Sequence, residues 1–310
     1  MSVAKEGFTL LKDSGKEFMD DGCPTQAAAL SYYTIFSLPP LLLLILLILG
    51  AVLDPREVQA QLEGQFGALM GPSASEQIRT ILQQAHQSGS GGPLATVLSI
   101  AALLFGATGA FGQLQAALNR AWEVTPDPDK GGWKAVLLKR VFSFGMILSI
   151  AFLLLVSLAL SAALSAFGGA LGTVLPSGIS ATLLQVVNQL VSLLVIAGLF
   201  AAIFKVLPDA RIAWRDVWVG AAFTALLFVL GKFLIGLYLG QSNPGRAFGA
   251  AGSLAVMFVW VYYSSMILLF GAEFTQTWAK RHGKGIAPEK GAVRVLEEKR
   301  HLREGQPAPA

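Results

Sequence analysis

The chain has 310 residues, of which 54% are hydrophobic and 14% are charged, with a formal net charge of +4 and a mean hydropathy of +0.60. Because soluble globular domains contain about 25% charged residues, this composition excludes an ordinary soluble protein and is typical of a polytopic membrane protein. The single cysteine, Cys23, also excludes an intramolecular disulfide framework and a cysteine-rich metal site.

Residues 1–23 predict an amphipathic helix that lies in the membrane interface. They lack the continuous apolar core of a signal peptide. Lys5, Lys12 and Lys16 lie off an apolar face whose members recur at helical spacing, namely Phe8, Leu11, Gly15, Phe18 and Met19.

Six apolar segments within residues 24–278 are each long enough to span a bilayer. They cover about 27–53, 94–117, 141–167, 183–206, 217–239 and 250–276. We therefore expect an all-α membrane protein with a six-helix transmembrane bundle. Pro39-Pro40 predicts a kink or break in the first span, because proline removes a helical hydrogen bond. Residues 279–310 are expected to form a basic tail with a short helix around 289–303.

The loop 54–93 between the first two spans predicts two short amphipathic helices on the outer surface. Asp54-Pro55 is a helix-start signal, and Ser73-x-x-Glu76 resembles a capping box. Each helix has one apolar face, formed by Val58, Leu62, Phe66 and Leu69 in the first and by Ile78, Ile81, Leu82 and Ala85 in the second. The sequence leaves open whether these helices are a lid or a docking surface.

The distribution of basic residues predicts the orientation. Of the 23 Lys and Arg residues, 19 lie in the N-terminal region, the loops 118–140 and 205–216, and the tail. Three lie in the alternate loops, and Lys232 lies inside a span. Because cytoplasmic loops carry the excess of Lys and Arg, both termini are expected in the cytoplasm.

Polar residues within three spans predict a pocket in the outer half of the membrane. They form one helix face in each of two spans, and Lys232 adds a positive charge; the candidates are Ser157, Ser161, Ser165, Gln185, Asn188, Gln189, Ser192 and Lys232. Such a pocket suits the anionic group of an amphiphile. In the alternative interpretation the serines and amides bond neighbouring helices, and Lys232 reaches outward to lipid headgroups.

Glu273 lies near the cytoplasmic end of the sixth span. We expect its partner to be Arg120, Lys205, Arg211 or a polar group of the first span. The carboxylate either fixes the helix in the interface or has a proton- or ion-linked role.

Catalysis finds little support in the sequence. No P-loop, H-E-x-x-H motif, paired-cysteine motif or G-x-S-x-G motif is present, and no clustered carboxylates suit two-metal chemistry. We therefore expect no enzyme activity, no cofactor, no metal and no nucleic-acid partner.

Four motifs resemble the YihY/virulence factor BrkB family: AAALSYYTIFSLPPLL, GATGAFGQLQAALNRAWEV, LPDARIAWRDVWVGA and GAAGSLAVMFVWVYYSSMILLFGAEF. The resemblance covers about residues 8–282 and implies a bacterial inner-membrane protein of about six spans, linked to serum resistance and envelope integrity. It provides no catalytic residues, and the historical label ribonuclease BN fits this sequence badly. The motif positions carried over are Pro24, Gln26, Ala29, Tyr32, Ser37, Pro39, Gly106, Asn119, Trp122, Pro208, Gly252, Trp260, Tyr262, Gly271, Ala272 and Glu273.

The leading hypothesis is a transporter or a protein that handles membrane lipid or another amphiphile. The alternative is a membrane scaffold for envelope assembly that does not transport, with the outer loop and the basic tail as docking surfaces. A membrane-associated ribonuclease is the least favoured hypothesis. The sequence leaves the oligomeric state, the substrate and the coupling ion undetermined.

Overall fold

A computed structural model describes residues 3–50, 54–70, 72–88, 109–130, 177–242, 252–283 and 285–295. Their helices are α1 Val3–Asp20, α2 Cys23–Gly50, α3 Pro55–Met70, α4 Pro72–Ser88, α5 over residues 109–121, α6 Ser177–Val206, α7 Trp214–Ser242 and α8 Gly252–His282. Four short strands are β1 Val124–Pro126, β2 Ala210–Arg211, β3 Ala287–Pro288 and β4 Ala292–Arg294.

Three of the described helices are long and apolar enough to cross a membrane: α6 over Gln189–Val206, α7 over Trp214–Tyr238 and α8 over Leu254–His282. They match the fourth, fifth and sixth predicted spans. Helix α2 contains most of the first predicted span, and α5 contains the end of the second. The third span, 141–167, lies outside the described residues, so the complete six-span bundle stays a prediction.

Helix α2 runs without a break through Pro39 and Pro40. Of the predicted kink or break, the break is therefore wrong, and the kink stays a prediction. The side chain of Ser37 just before them is buried, and its hydroxyl donates to the carbonyl oxygen of Thr34 at 2.9 Å. That bond does not replace the two that the prolines remove, which would end at the carbonyls of Ile35 and Phe36, four residues before each proline.

Helices α7 and α8 approach each other closely at two glycines. Gly220 of α7 lies against Thr275 of α8, and Gly271 of α8 lies against Thr224 of α7. Each threonine hydroxyl donates to the carbonyl of the glycine four residues earlier in its own helix, at 2.7 Å for Thr224 and 2.6 Å for Thr275. Both helices thus use the same Gly-x-x-x-Thr pattern, in which small residues let two backbones come together in a membrane.

The four regions that are rich in Lys and Arg meet at one end of the bundle, which we call the basic end: α1, the segment after α5, the segment between α6 and α7, and the residues after α8. Strand β1 pairs antiparallel with β4, and β2 pairs with β3. Arg281 at the end of α8 forms an ion pair with Asp13 of α1. The short helix expected around 289–303 is wrong over its described part, because residues 292–294 are the strand β4.

Helix α1 packs on the bundle through Leu10, Ser14 and Phe18, all of which are buried. The ring of Phe18 lies edge-on to Phe270 of α8, with 5.7 Å between ring centroids. The predicted apolar face is therefore divided, because Phe8, Leu11 and Met19 remain exposed. This exposed part agrees with a position at the membrane interface, which stays a prediction.

Helices α3 and α4 occupy the predicted outer loop and pack at the end of the bundle opposite the basic end. Val58, Ile78 and Leu82 are buried in one cluster with Leu42 and Leu46 of α2 and with Met257 and Val261 of α8. The two helices thus close this end of the bundle with their apolar faces.

Candidate functional site

An open polar cleft of about 750 Å³ lies at the basic end, between the end of α1, the start of α2, helix α5 and the segment after α6. We call it the acidic cleft, because five carboxylates and one guanidinium line it: Glu17, Asp20, Asp21, Glu123, Asp209 and Arg120. An acidic cleft within the part of the protein that carries most of the basic residues was not predicted from the sequence.

Asn119 and Asp209 hold one wall of the acidic cleft together. The Asn119 side-chain nitrogen donates to Asp209 Oδ2 at 2.9 Å, and the Asp209 backbone N–H donates to Asn119 Oδ1 at 2.8 Å. Gln115, one turn earlier in α5, adds a longer contact of 3.3 Å to the same carboxylate oxygen. This pair joins α5 to the segment after α6 and gives Asn119, a motif position, a structural role. Sequence reasoning singled out Pro208 and missed Asp209 beside it.

Glu273 is fully buried in α8 beneath the acidic cleft. Its Oε1 accepts a hydrogen bond from the Cys23 thiol at 3.4 Å, and its carboxyl lies beside that of Asp21, which lines the cleft. The neighbours of Glu273 therefore lie at the start of α2 and in the turn before it. Of the expected partners, a polar group of the first helix fits, since Cys23 begins α2, whereas Lys205 and Arg211 are not among the neighbours found in the described residues. Sequence reasoning missed Cys23 and Asp21, because they lie 250 and 252 residues from Glu273 in the chain.

Some of the remaining motif residues of α2 pack against neighbouring helices, and others are exposed. Gln26 Oε1 accepts from the side-chain nitrogen of Gln113 in α5 at 2.7 Å, and Gln26 also lines the acidic cleft. Ser37 is buried and Pro39 is half-buried in the helix. Tyr32 is 54% exposed and packs on Phe36 of its own helix.

The predicted pocket in the outer half of the membrane stays a prediction. Gln189 and Lys232 are exposed, and Ser192 is half-buried. Lys232 borders a narrow crevice with Trp260 and Tyr263 of α8. The side chains of Gln185 and Asn188 lie outside the described residues, as do Ser157, Ser161 and Ser165.

Residues 285–295, the C-terminal strap, are fastened to the edge of the acidic cleft by Glu123. Its carboxylate binds Lys280 at 2.8 Å and Arg294 at 3.2 Å, and its backbone oxygen accepts from Val295 at 2.8 Å. Partial burial alone would raise the pKa of Glu123. The hydrogen bonds and charges of Lys280 and Arg294 outweigh burial and lower the pKa below the usual glutamate value.

Acidification is expected to loosen the C-terminal strap. Because the pKa of Glu123 is lower in the folded protein, its ion pairs stabilise the fold above the ordinary glutamate pKa of about 4.3 and are lost as the pH falls below that value. Glu123→Gln should therefore increase the tryptic cleavage rate at Lys290 and Arg294 several-fold at neutral pH. Hydrogen–deuterium exchange, which can be followed in acid where trypsin is inactive, should show that acid loosens the strap of the wild type and not that of Glu123→Gln. Glu57→Gln, an exposed carboxylate of α3, is the control. Equal cleavage of Glu123→Gln and wild type would contradict this role.

Among the described residues, no group of three or more His, Cys, Asp or Glu side chains is arranged to hold a metal ion. The acidic cleft is a polar cavity lined by carboxylates and amides, and the fully buried carboxyl of Glu273 lies next to its lining residue Asp21.

Comparison with known proteins agrees with the resemblance seen in the motifs. The family described as Virulence factor BrkB matches residues 14–294. The UPF0761 membrane protein of Pseudomonas aeruginosa strain LESB58 is 27% identical, over 96% of this chain and 71% of the relative. The UPF0761 membrane protein of Alcanivorax borkumensis is also 27% identical, over 91% of this chain and 63% of the relative. The UPF0761 membrane protein of Psychromonas ingrahamii is 36% identical over 80 residues, which are 25% of this chain and 27% of that protein.

No solved structure matches the chain. The family match nevertheless covers α1 after its first turns, the acidic cleft, the spans α6 to α8 and most of the C-terminal strap. The chain therefore belongs to the virulence factor BrkB family of membrane proteins.

Proposed function

We propose that this chain is a bacterial inner-membrane protein that transports or transfers a lipid or another amphiphile and thereby acts in envelope integrity. One observation carries the proposal: the fully buried carboxyl of Glu273, in a membrane-spanning helix, contacts a residue that lines the acidic cleft. Ionisable groups inside spans are expensive to bury and mark substrate, ion or proton pathways.

The proposed orientation puts both termini and the acidic cleft in the cytoplasm. Four elements that lie together at one end of the bundle support this orientation: α1, the segment after α5, the segment before α7 and the C-terminal strap. These regions contain most of the Lys and Arg residues, which favour the cytoplasmic side. Helices α3 and α4 would then close the outer end.

The substrate class follows from the polar pocket proposed in the outer half of the membrane. Lys232 is exposed in α7, ten residues from its end at Ser242, or about 15 Å along the helix axis. A lysine at this depth attracts an anionic headgroup, either within a pocket or at the lipid-facing surface. An anionic phospholipid is therefore the first substrate to test.

Purified protein in liposomes should move a fluorescent anionic phospholipid between leaflets. Lys232→Ala and Gln189→Ala are each expected to slow the movement about tenfold, which corresponds to a loss of about 1.4 kcal/mol in the rate-limiting step. Lys12→Ala, which removes an exposed lysine of α1, is the matched control and should retain the wild-type rate. No movement above empty liposomes would contradict lipid transfer.

A scaffold for envelope assembly is the second candidate, favoured by the α3–α4 pair that closes the outer end. Deleting residues 55–92 tests it directly. If the deletion abolishes the protein's effect on envelope integrity while Lys232→Ala and Gln189→Ala do not, the scaffold function is the better description.

A further inference from the structure

Glu273 has an incomplete set of hydrogen bonds for an ionised carboxylate. Its residue exposure is 0%, and Oε1 accepts from the Cys23 thiol at 3.4 Å. Within the described part of the chain, no donor reaches Oε2. A buried charge without donors is costly, whereas a protonated oxygen needs no donor and itself donates.

The neighbour of Glu273 on the side of the acidic cleft is another carboxyl group. The side-chain carboxyl groups of Asp21 and Glu273 lie close enough to interact, and they could share a hydrogen bond. Two carboxylates make such a bond only when a proton lies between them, since ionised carboxylates are acceptors only. Carboxyl pairs that share one site hold a proton because both cannot ionise at close range.

The surroundings of the pair agree with this arrangement. Burial raises the pKa of Asp21, and the hydrogen bond from Glu273 and the charge of Arg120 oppose the effect of burial. The other charged groups that act on the pair are Glu17 and Glu123, both of which disfavour a second negative charge. Because Oε1 of Glu273 already accepts from Cys23 and Oε2 has no donor, Oε2 is the oxygen that can carry the shared proton.

We propose that Glu273 and Asp21 form a proton-binding site that exchanges its proton with the solution through the acidic cleft. Glu273 Oε2 carries the proton and donates a hydrogen bond to the Asp21 carboxylate. The Cys23 thiol donates a hydrogen bond to Glu273 Oε1. Asp21 connects the buried group to the cleft, because it contacts Glu273 and also lines the cavity. In a second step that rests on the proposed function, this site supplies the proton that couples amphiphile movement to the proton gradient.

Infrared difference spectroscopy of the full-length protein in lipid tests the site without a transport assay. Cys23 is the only cysteine of the chain, so the S–H stretching band can be assigned to the thiol that donates to Glu273. We expect a protonated-carboxyl band at neutral pH that titrates away in base, together with a shift of the S–H band. Glu273→Gln should remove the carboxyl band and leave the S–H band independent of pH.

Two comparisons make the result decisive. Asp21→Asn should change the frequency and the titration of the carboxyl band, whereas Glu76→Gln, an exposed carboxyl of α4, should leave both unchanged. Absence of the protonated-carboxyl band at neutral pH in the wild type would overturn the site. Ionisation of both groups combined with thermal stabilisation by Na⁺ or K⁺ would likewise overturn it, in favour of a cation site.

The coupling step has its own readout. Liposomes with an imposed pH gradient should show lipid movement that follows the gradient in the wild type and ignores it in Glu273→Gln. Wild-type movement that is insensitive to the gradient would overturn the coupling even if the infrared bands appear. If the wild type moves no lipid, the proposed function fails, and the infrared titration still decides the proton site.

Discussion

Gly271→Ala is expected to destabilise the protein by about 3 kcal/mol or more, at the upper end of the usual cost of overpacking. An added Cβ atom would lie 1.9 Å from Thr224 Oγ1 and 2.8 Å from Thr224 Cβ, so α7 and α8 would have to move apart. Thr224 cannot simply rotate away, because its side chain is fully buried and its hydroxyl is bonded to Gly220 O. Thermal unfolding in detergent measures the effect.

Matched variants separate this contact from a general effect of replacing glycine. Gly236→Ala in α7 adds a methyl group to open space, and it should keep stability or increase it by up to about 1 kcal/mol. Adding Thr224→Ala to Gly271→Ala should restore part of the lost stability, since two of the three closest atoms disappear. If Gly271→Ala and the wild type unfold at the same temperature, the contact between α7 and α8 at Gly271 is looser than the structure shows.

Asn119→Asp is expected to cost about 2 kcal/mol at neutral pH, the loss expected when a hydrogen bond to a charged group is removed. The substitution preserves side-chain shape, but it removes the donor to Asp209 Oδ2 and places a second carboxylate 2.9 Å from that atom. Stability should partly return in acid, because protonation of either carboxyl restores a donor. Unfolding midpoints at neutral pH and in acid measure the effect.

A pair with the same chemistry within one helix provides the control. Gln59 donates to Glu63 at 2.8 Å one turn later in α3, so Gln59→Glu creates the same opposition of carboxylates without joining two elements. It should cost only about 0.5 kcal/mol, as like charges four residues apart on a helix do. The exchange Asn119→Asp with Asp209→Asn should recover stability, because the amide and the carboxylate only change places. Equal losses of stability for Asn119→Asp and Gln59→Glu would show that Asn119 does not hold α5 to the segment after α6.

The structure corrects sequence expectations where distant segments meet. The short helix expected around 289–303 overlaps the strand β4, because residues 292–294 find a partner strand at 124–126 that local helical spacing does not reveal. The expected partners of Glu273 were basic residues of the loops or a polar group of the first span, and its neighbours are Cys23 at the start of α2 and Asp21 in the turn before it. Opposite charge predicts partners well in water, whereas the partner of a buried carboxyl depends on which elements pack beside it.

The sequence by itself determined the class of protein, the positions of three spans, the separation of basic from non-basic loops and the family. These properties are local, since a run of about 20 apolar residues or a cluster of lysines is visible without knowing what it contacts. The tertiary structure alone decided the Gly-x-x-x-Thr contact, the Asn119–Asp209 pair and the carboxyl pair above Cys23. Each joins groups that are far apart in the chain, 90 residues for Asn119 with Asp209 and 250 for Cys23 with Glu273, and each exists only because helix packing brings them within bonding distance.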